Sequence, residues 1–168
     1  MKKLSVILSI IILMAAITKA QGTKADETAI QQILAHFTSD WNKNDFSDMK
    51  DYLTTDCNWV NVVGMRWNGL KEVQFAHQAF ANTMFKGVKL ETLNSEIHFL
   101  LADIAIVYWR SHIGTYYTNQ GKIKAGDCDA LGTVVVVKQG GKWMIRSTEN
   151  VDVVAEAVAH DPVLHMPK

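Results

Sequence analysis

From Val88 to Val151 apolar and polar residues alternate with a period of two. That spacing places every second side chain on one face of a strand. It predicts four strands, at roughly 88–100, 103–116, 124–138 and 142–151. The connections suit an antiparallel meander, and Gly140-Gly141 matches a two-residue hairpin turn with φ > 0 at both positions. Residues 134–137 are apolar on both faces, as in a central strand covered on each side. The N-terminal half has a different period. Ile30, Ile33, Leu34, Phe37 and Trp41 recur at 3.6-residue spacing behind a Thr23–Asp26 capping box, which predicts an amphipathic helix. Asp45 is placed to cap a second, shorter helix with Phe46, Met49 and Leu53 on its buried side. Residues 57–67 read as two short strands around a turn at Gly64. Asn68-Gly69 opens a third helix running to about Phe85.

The first residues stand outside this pattern. Lys2 and Lys3 precede an apolar run from Leu4 to Ile17, and Thr18-Lys19-Ala20 offers small residues where a signal peptidase cuts. We expect a signal peptide at residues 1–20, a single domain at 21–160, a loose tail at 161–168, and a secreted or periplasmic protein with no stable membrane insertion after cleavage. The run is shorter than the roughly 20 residues that span a bilayer. The whole chain balances 17 basic against 17 acidic side chains, and removing the leader makes the net charge about −3. No basic run survives, so phosphate-driven nucleic-acid binding is excluded. Cys-x-x-Cys, Walker, G-x-S-x-G and H-E-x-x-H motifs are absent from the sequence. No cofactor and no metal is expected; His160 and His165 flank Asp161 on the tail, a poor platform for ligands.

The order helix, helix, strand pair, helix, four strands is an α+β layout. Together with "DWNKND" at 40–45, "WVNVVGMRWNGLKEVQFAHQAF" at 59–80, "LLADIAIVYWRSHIG" at 100–114 and "KQGGKWMIRSTENV" at 138–151, it resembles the nuclear-transport-factor-2-like (NTF2-like, cystatin-like) superfamily. More narrowly it is similar to the SgcJ/EcaC and SnoaL-like (DUF4440-like) group. The resemblance implies a cone: three N-terminal helices packed on a curved antiparallel sheet of about six strands, with a conical cavity between. It also implies that the first strand lies beside the last, and the last beside the third long strand. Cys57 and Cys128 would then sit two strands apart, roughly 10 Å, beyond the about 7 Å that a disulfide allows. Two free thiols are expected.

His77 lies within the apolar stripe of the third helix, between Val73 and Phe80. A histidine there is either a core residue satisfied by one hydrogen bond or, if the helix covers a cavity as the resemblance implies, a proton-transfer group near pH 7. We take His77 as the catalytic candidate. Candidate ligand contacts are Trp59 and Asn61, which share a strand face, with Trp67 and Phe80. Trp109 and His112 stand for the two faces of strand 103–114, between which parity does not choose. Asp127 forms a carboxylate pair with Asp129, and Asn150 ends the last strand where the family often places an amide. Trp41 and Asp45 read as folding residues.

Three functions compete: a metal-free isomerase, cyclase or dehydratase moving a proton on a small hydrophobic substrate, a binding protein for a small apolar ligand, and a homodimeric scaffold joined through the sheet.

Overall fold

A computed structural model describes residues 22–118 and 120–167; the expected signal peptide lies outside them. Helix α1, Lys24–Lys43, starts at the capping box read from the sequence. Thr23 Oγ1 accepts from the Asp26 backbone N–H, and Asp26 accepts from the Thr23 backbone N–H at 3.0 Å. Ile30, Ile33, Leu34 and Phe37 form its buried stripe, and Asn44 closes it in the left-handed conformation.

The short second helix is a single 3-10 turn, Met49–Asp51, and Leu53 already belongs to strand β1, Leu53–Val60. The β-branched residues Thr54 and Thr55 favour extension over helix. Asp45 does cap locally, accepting from the Ser47 backbone N–H at 3.0 Å. After a turn at Gly64 comes β2, Arg66–Asn68, then helix α2, Gly69–Ala81. The third helix thus ends at Ala81, four residues short of Phe85.

Four long strands follow: β3 (Leu90–Leu101), β4 (Ile104–Ile113), β7 (Cys128–Gln139) and β8 (Lys142–Asp152). Between β4 and β7 a separate small hairpin forms from β5 (Tyr116–Thr118) and β6 (Ile123–Ala125), where the ends of the two long strands expected at 103–116 and 124–138 were to meet in a turn. Gly140 and Gly141 both have positive φ (57° and 82°), as the hairpin turn requires. A short helix α3, Ala155–Ala159, and a 3-10 turn at Pro162–His165 end the chain.

The main sheet runs β2-β1-β8-β7-β4-β3. Its six strands, with α1 and the 3-10 turn ahead of them and α2 between β2 and β3, make the α+β cone expected from the resemblance. One pairing departs from an all-antiparallel sheet: β1 runs parallel to β8, because the chain crosses over between first and last strand. Register shifts within β1–β8, β3–β4 and β7–β8 mark the bulges that bend such sheets. Cys57 and Cys128 are both free, Cys57 buried and Cys128 half-buried.

Candidate functional site

Parity along the strands decides which residues reach the helices. In β4, Ala105, Val107, Trp109 and Ser111 are buried, while Tyr108 and Arg110 are exposed. In β7, Val134 and Val136 are fully buried and Gly132 shares their face. In β8 it is Trp143, Ile145 and Thr148. Toward the lower end of the sheet these residues meet α1 in solid packing. Toward the other end they do not fill the space, and a cavity of about 120 Å³ remains. Gly132, opposite Trp109 on β4 and Asn150 on β8, contributes to this room by lacking a side chain.

Helix α2 roofs the cavity. Its buried residues are Val73, His77 and Ala81, one stripe at four-residue spacing, and His77 is 7% exposed. The imidazole is enclosed by aromatic rings: Trp59 at 4.6 Å, Phe46 at 5.3 Å, Trp67 at 5.4 Å and Phe37 at 5.6 Å between ring centres. Nδ1 lies 2.8 Å from the Val73 carbonyl oxygen. A carbonyl only accepts, so Nδ1 carries the proton and Nε2 presents a lone pair, with no partner among the described residues. Burial pushes the His77 pKa down to about 4, opposed by the bond to Val73. The near-neutral titration expected from the sequence is therefore corrected: the ring is neutral at pH 7 and a weak base.

This depressed value sets a pH dependence. The unfolded chain takes up the His77 proton near pH 6.5 and the folded protein only near 4, so the stabilisation is complete above pH 6.5 and is lost as pH falls toward 4. Asp40, raised to about 6 by burial, acts with opposite sign in the same range, favouring the fold as pH falls. The difference between wild type and His77→Leu cancels the Asp40 contribution. Denaturant unfolding at pH 7.5 and 4.5 should show wild type losing about 2–3 kcal/mol relative to His77→Leu. Equal losses in both proteins would contradict a buried neutral imidazole.

Of the residues singled out from the sequence, Trp59, Asn61, Trp67, His77, Phe80, Trp109 and Asn150 line this cavity. Asn61 also supports the local backbone, since its Oδ1 accepts from the N–H groups of Val63 and Met65 and closes the β1–β2 loop. His112 and Asp127 are corrected to the opposite face. His112 Nδ1 is 3.0 Å from Asp129 Oδ1, and Arg110 Nε donates to Asp129 Oδ2 at 2.9 Å. Asp127 sits beside this group with Nε2 of His112 at 3.7 Å. The Asp127–Asp129 pair is thus neutralised on the outside of the sheet, where its charges face water, and does not reach the cavity.

Trp41, a folding residue by its sequence pattern, lines the cavity as well, while its indole N–H donates to the Val88 carbonyl at 2.9 Å. Phe37, Phe85, Tyr116, Ser111 and Thr148 join the lining without having been singled out by the sequence pattern. Ser111 carried a readable signal, a hydroxyl at an inward strand position in phase with Trp109, whereas Thr148, three residues after Ile145, comes to that face only through the register shift in β8.

Away from the cavity, His36, Asp40 and Asp48 bring three possible ligand atoms within 4.8 Å of one another. Hydrogen bonds account for the group: His36 Nε2 is 2.9 Å from Asp48 Oδ2, and Tyr52 Oη donates to Asp40 Oδ2 at 2.7 Å. They fasten α1 to the 3-10 turn before β1.

A bent sheet roofed by helices over an aromatic-lined hollow defines the NTF2-like, cystatin-like class of α+β proteins. The SnoaL-like domain family matches residues 30–149, and the chain belongs to that family. It is similar to an uncharacterised cystatin-like-fold protein from Caulobacter vibrioides, 31% identical over 83% of this chain and 98% of that one, with a TM-score of 0.79. A cystatin-like-fold domain of unknown function from Nostoc punctiforme is 20% identical, covering 86% and 89%, with a TM-score of 0.69. A "Putative Scytalone Dehydratase" from Novosphingobium aromaticivorans is 18% identical, covering 77% and 85%, with a TM-score of 0.60. Among curated proteins no significant match is found.

Proposed function

We propose that this chain is an exported protein that binds a small uncharged molecule in the cavity between α2 and the sheet. The observation that carries the reading is a neutral, buried imidazole whose free Nε2 adjoins an aromatic-walled space. A ring held this way orients a guest by accepting one hydrogen bond in dry surroundings, where such a bond is strong. Export rests on the leader-like residues 1–20, and the narrower SgcJ/EcaC placement on the stretches quoted above. Native mass spectrometry of the exported protein, followed by solvent extraction, tests the reading. A bound small molecule that disappears when Gly132→Leu fills the cavity floor is the expected result; a mass unchanged by extraction and by filling speaks against it.

A second reading, proton transfer, is favoured by the same unprotonated Nε2. It is also the direction suggested by the dehydratase names of two fold neighbours at 18% and 16% identity. The two readings separate in His77→Leu. A binder loses only the affinity that the hydrogen bond to Nε2 supplies and keeps its hold on a guest without that group, whereas an enzyme loses turnover by the 10²–10⁴-fold that a general base supplies.

We also propose that two copies associate through the outer face of the sheet. Tyr108, Leu131 and Val151 are 42%, 38% and 51% exposed there, beside half-buried Ile106, Val135 and Val137. Leu131 pairs with Val151 across β7–β8 to form an apolar pair, with Arg110 beside Leu131 on β4. Leu131→Glu should turn a dimer into a monomer in sedimentation velocity without lowering thermal stability of the monomer by more than a few degrees. A wild-type monomer at 100 μM would dismiss this interface.

A further inference from the structure

We propose that the guest is a neutral, single-ring molecule bearing a hydroxyl group, with Thr148 as the residue that selects for that group. This rests on the cavity being a ligand site and adds what the ligand must carry.

Size comes first. The free space is about 120 Å³, close to the roughly 150 Å³ engineered cavity that admits benzene. One ring fits and two fused rings do not without moving the walls, which are close-packed aromatic side chains. Charge comes second. Among the described residues no lysine or arginine lines the cavity, and the one carboxylate that does is Asp152. A carboxylate guest would lose its water, find no counter-ion and meet a like charge. The one counter-ion for an ammonium, Asp152, is exposed at the rim, and an ammonium placed deeper, beside His77, would lose its water in the dry surroundings that keep that ring unprotonated.

Hydrogen bonding is the third observation and the most specific. Thr148 is 2% exposed, lines the cavity, and its Oγ1 is buried with no hydrogen-bond partner among the described residues. Buried hydroxyls are almost always paired; of the two unpaired threonine hydroxyls among the described residues, Thr54 does not line this cavity, whereas Thr148 does and needs only a side-chain rotation to offer its hydroxyl to a guest. Thr148 faces Trp59 across the parallel β1–β8 pairing, and Trp59 is the ring nearest to His77. Both polar groups therefore flank one aromatic wall. Nε2 of His77 can only accept, whereas the Thr148 hydroxyl can give or accept. A ketone or ether has no proton for Nε2, and an aliphatic amine would be charged at pH 7. A hydroxyl group gives to Nε2 and accepts from Thr148.

Calorimetric titration with p-cresol, toluene, 4-methylbenzoate and 2-naphthol tests each element separately. The expected order is p-cresol at least tenfold tighter than toluene, 2-naphthol weaker than p-cresol, and 4-methylbenzoate without measurable binding. Thr148→Val keeps the side-chain shape; it should weaken p-cresol about tenfold and leave toluene unchanged, which also certifies that the variant is folded. Thr148→Ser should restore the preference. Equal affinities for p-cresol and toluene in wild type would overturn the hydroxyl requirement while leaving the cavity as a ligand site. Tighter binding of 2-naphthol or of the benzoate would overturn the size or charge limit. Failure of all four to bind would sink the inference together with the reading beneath it.

Discussion

Phe37→Ala should destabilise the fold by about 3–5 kcal/mol, the range for deleting a buried aromatic ring. Phe37 is 2% exposed and stands where α1 meets the closed end of the cavity. Its ring stacks on Trp59 at 5.1 Å and 18°, and meets Trp109 edge-on at 5.6 Å and 87°. It also touches His77, Phe46 and Trp41. Truncating it removes all five contacts, and the void it leaves runs into an existing hollow. Walls that already arch over empty space have little left to collapse with, so the cost belongs at the upper part of the range. Urea unfolding followed by far-ultraviolet circular dichroism measures it. Leu100→Ala, at a site 55% exposed, is the control and should stay within about 0.5 kcal/mol of wild type. A loss below 1 kcal/mol for Phe37→Ala would mean that the aromatic cluster is not packed as described.

The second large effect is expected at Asp26, far from the cavity. Its carboxylate accepts from Lys138 Nζ at 2.7 Å, from the Trp143 indole N–H at 2.8 Å, and from the backbone and hydroxyl of Thr23 at 3.0 and 2.8 Å. One side chain thereby ties the start of α1 to strands β7 and β8. Asp26→Ala breaks the capping box and leaves the indole N–H of Trp143, itself 2% exposed, without a partner. Charge-assisted bonds and a stranded buried donor together place the loss at about 3 kcal/mol. The Lys138 and Trp143 bonds, with those from Thr23, hold the Asp26 pKa well below the ordinary carboxylate value. The sign follows: this stabilisation is present above the ordinary carboxylate pKa of about 3.8 and is lost as pH falls toward the depressed one. Asp26→Asn should accordingly be less stable than wild type at pH 7, with the gap narrowing steadily as pH falls below about 3.8. A constant gap between the two at all pH values would show that the charge of Asp26 is not what stabilises the fold.

Most of the architecture was legible because it rests on periodicity. The Thr23–Asp26 box, the stripe from Ile30 to Phe37 and the Gly140-Gly141 turn are local codes, and local codes survive into the fold. What failed depended on distant partners. Residues 49–55 carry an apolar spacing that a helix or a strand could both use, and the pairing of Leu53 with Ile145 on β8 chose the strand. The parallel sense of that pairing has no signature in either strand alone.

The cavity was legible in the same partial way. Alternation grouped Trp109 with Ser111 and His112 with Arg110, but which group faced inward depended on where the helices packed. The helices settle it: Trp109 and Ser111 turn inward, and His112 pairs with Asp129 outside. The position of His77 in an apolar stripe was visible, whereas its low basicity was not. That property comes from four rings brought from α1, the loop after it, β1 and β2, none of which adjoins His77 in sequence. Thr148 gave no signal because a threonine in a strand is ordinary; only the missing partner makes it notable.

Everything functional here depends on the space beneath α2 being open to a guest. The indole N–H resonances of a ¹⁵N-labelled sample report on it directly. Trp59, Trp67 and Trp109 line the cavity, whereas Trp143 is bonded to Asp26 in the opposite part of the core. Titration with p-cresol or toluene should shift the signals of Trp59 and Trp67 most and leave that of Trp143 in place. If none of the cavity indoles moves, or if Trp143 moves as far as they do, the hollow is not a binding site.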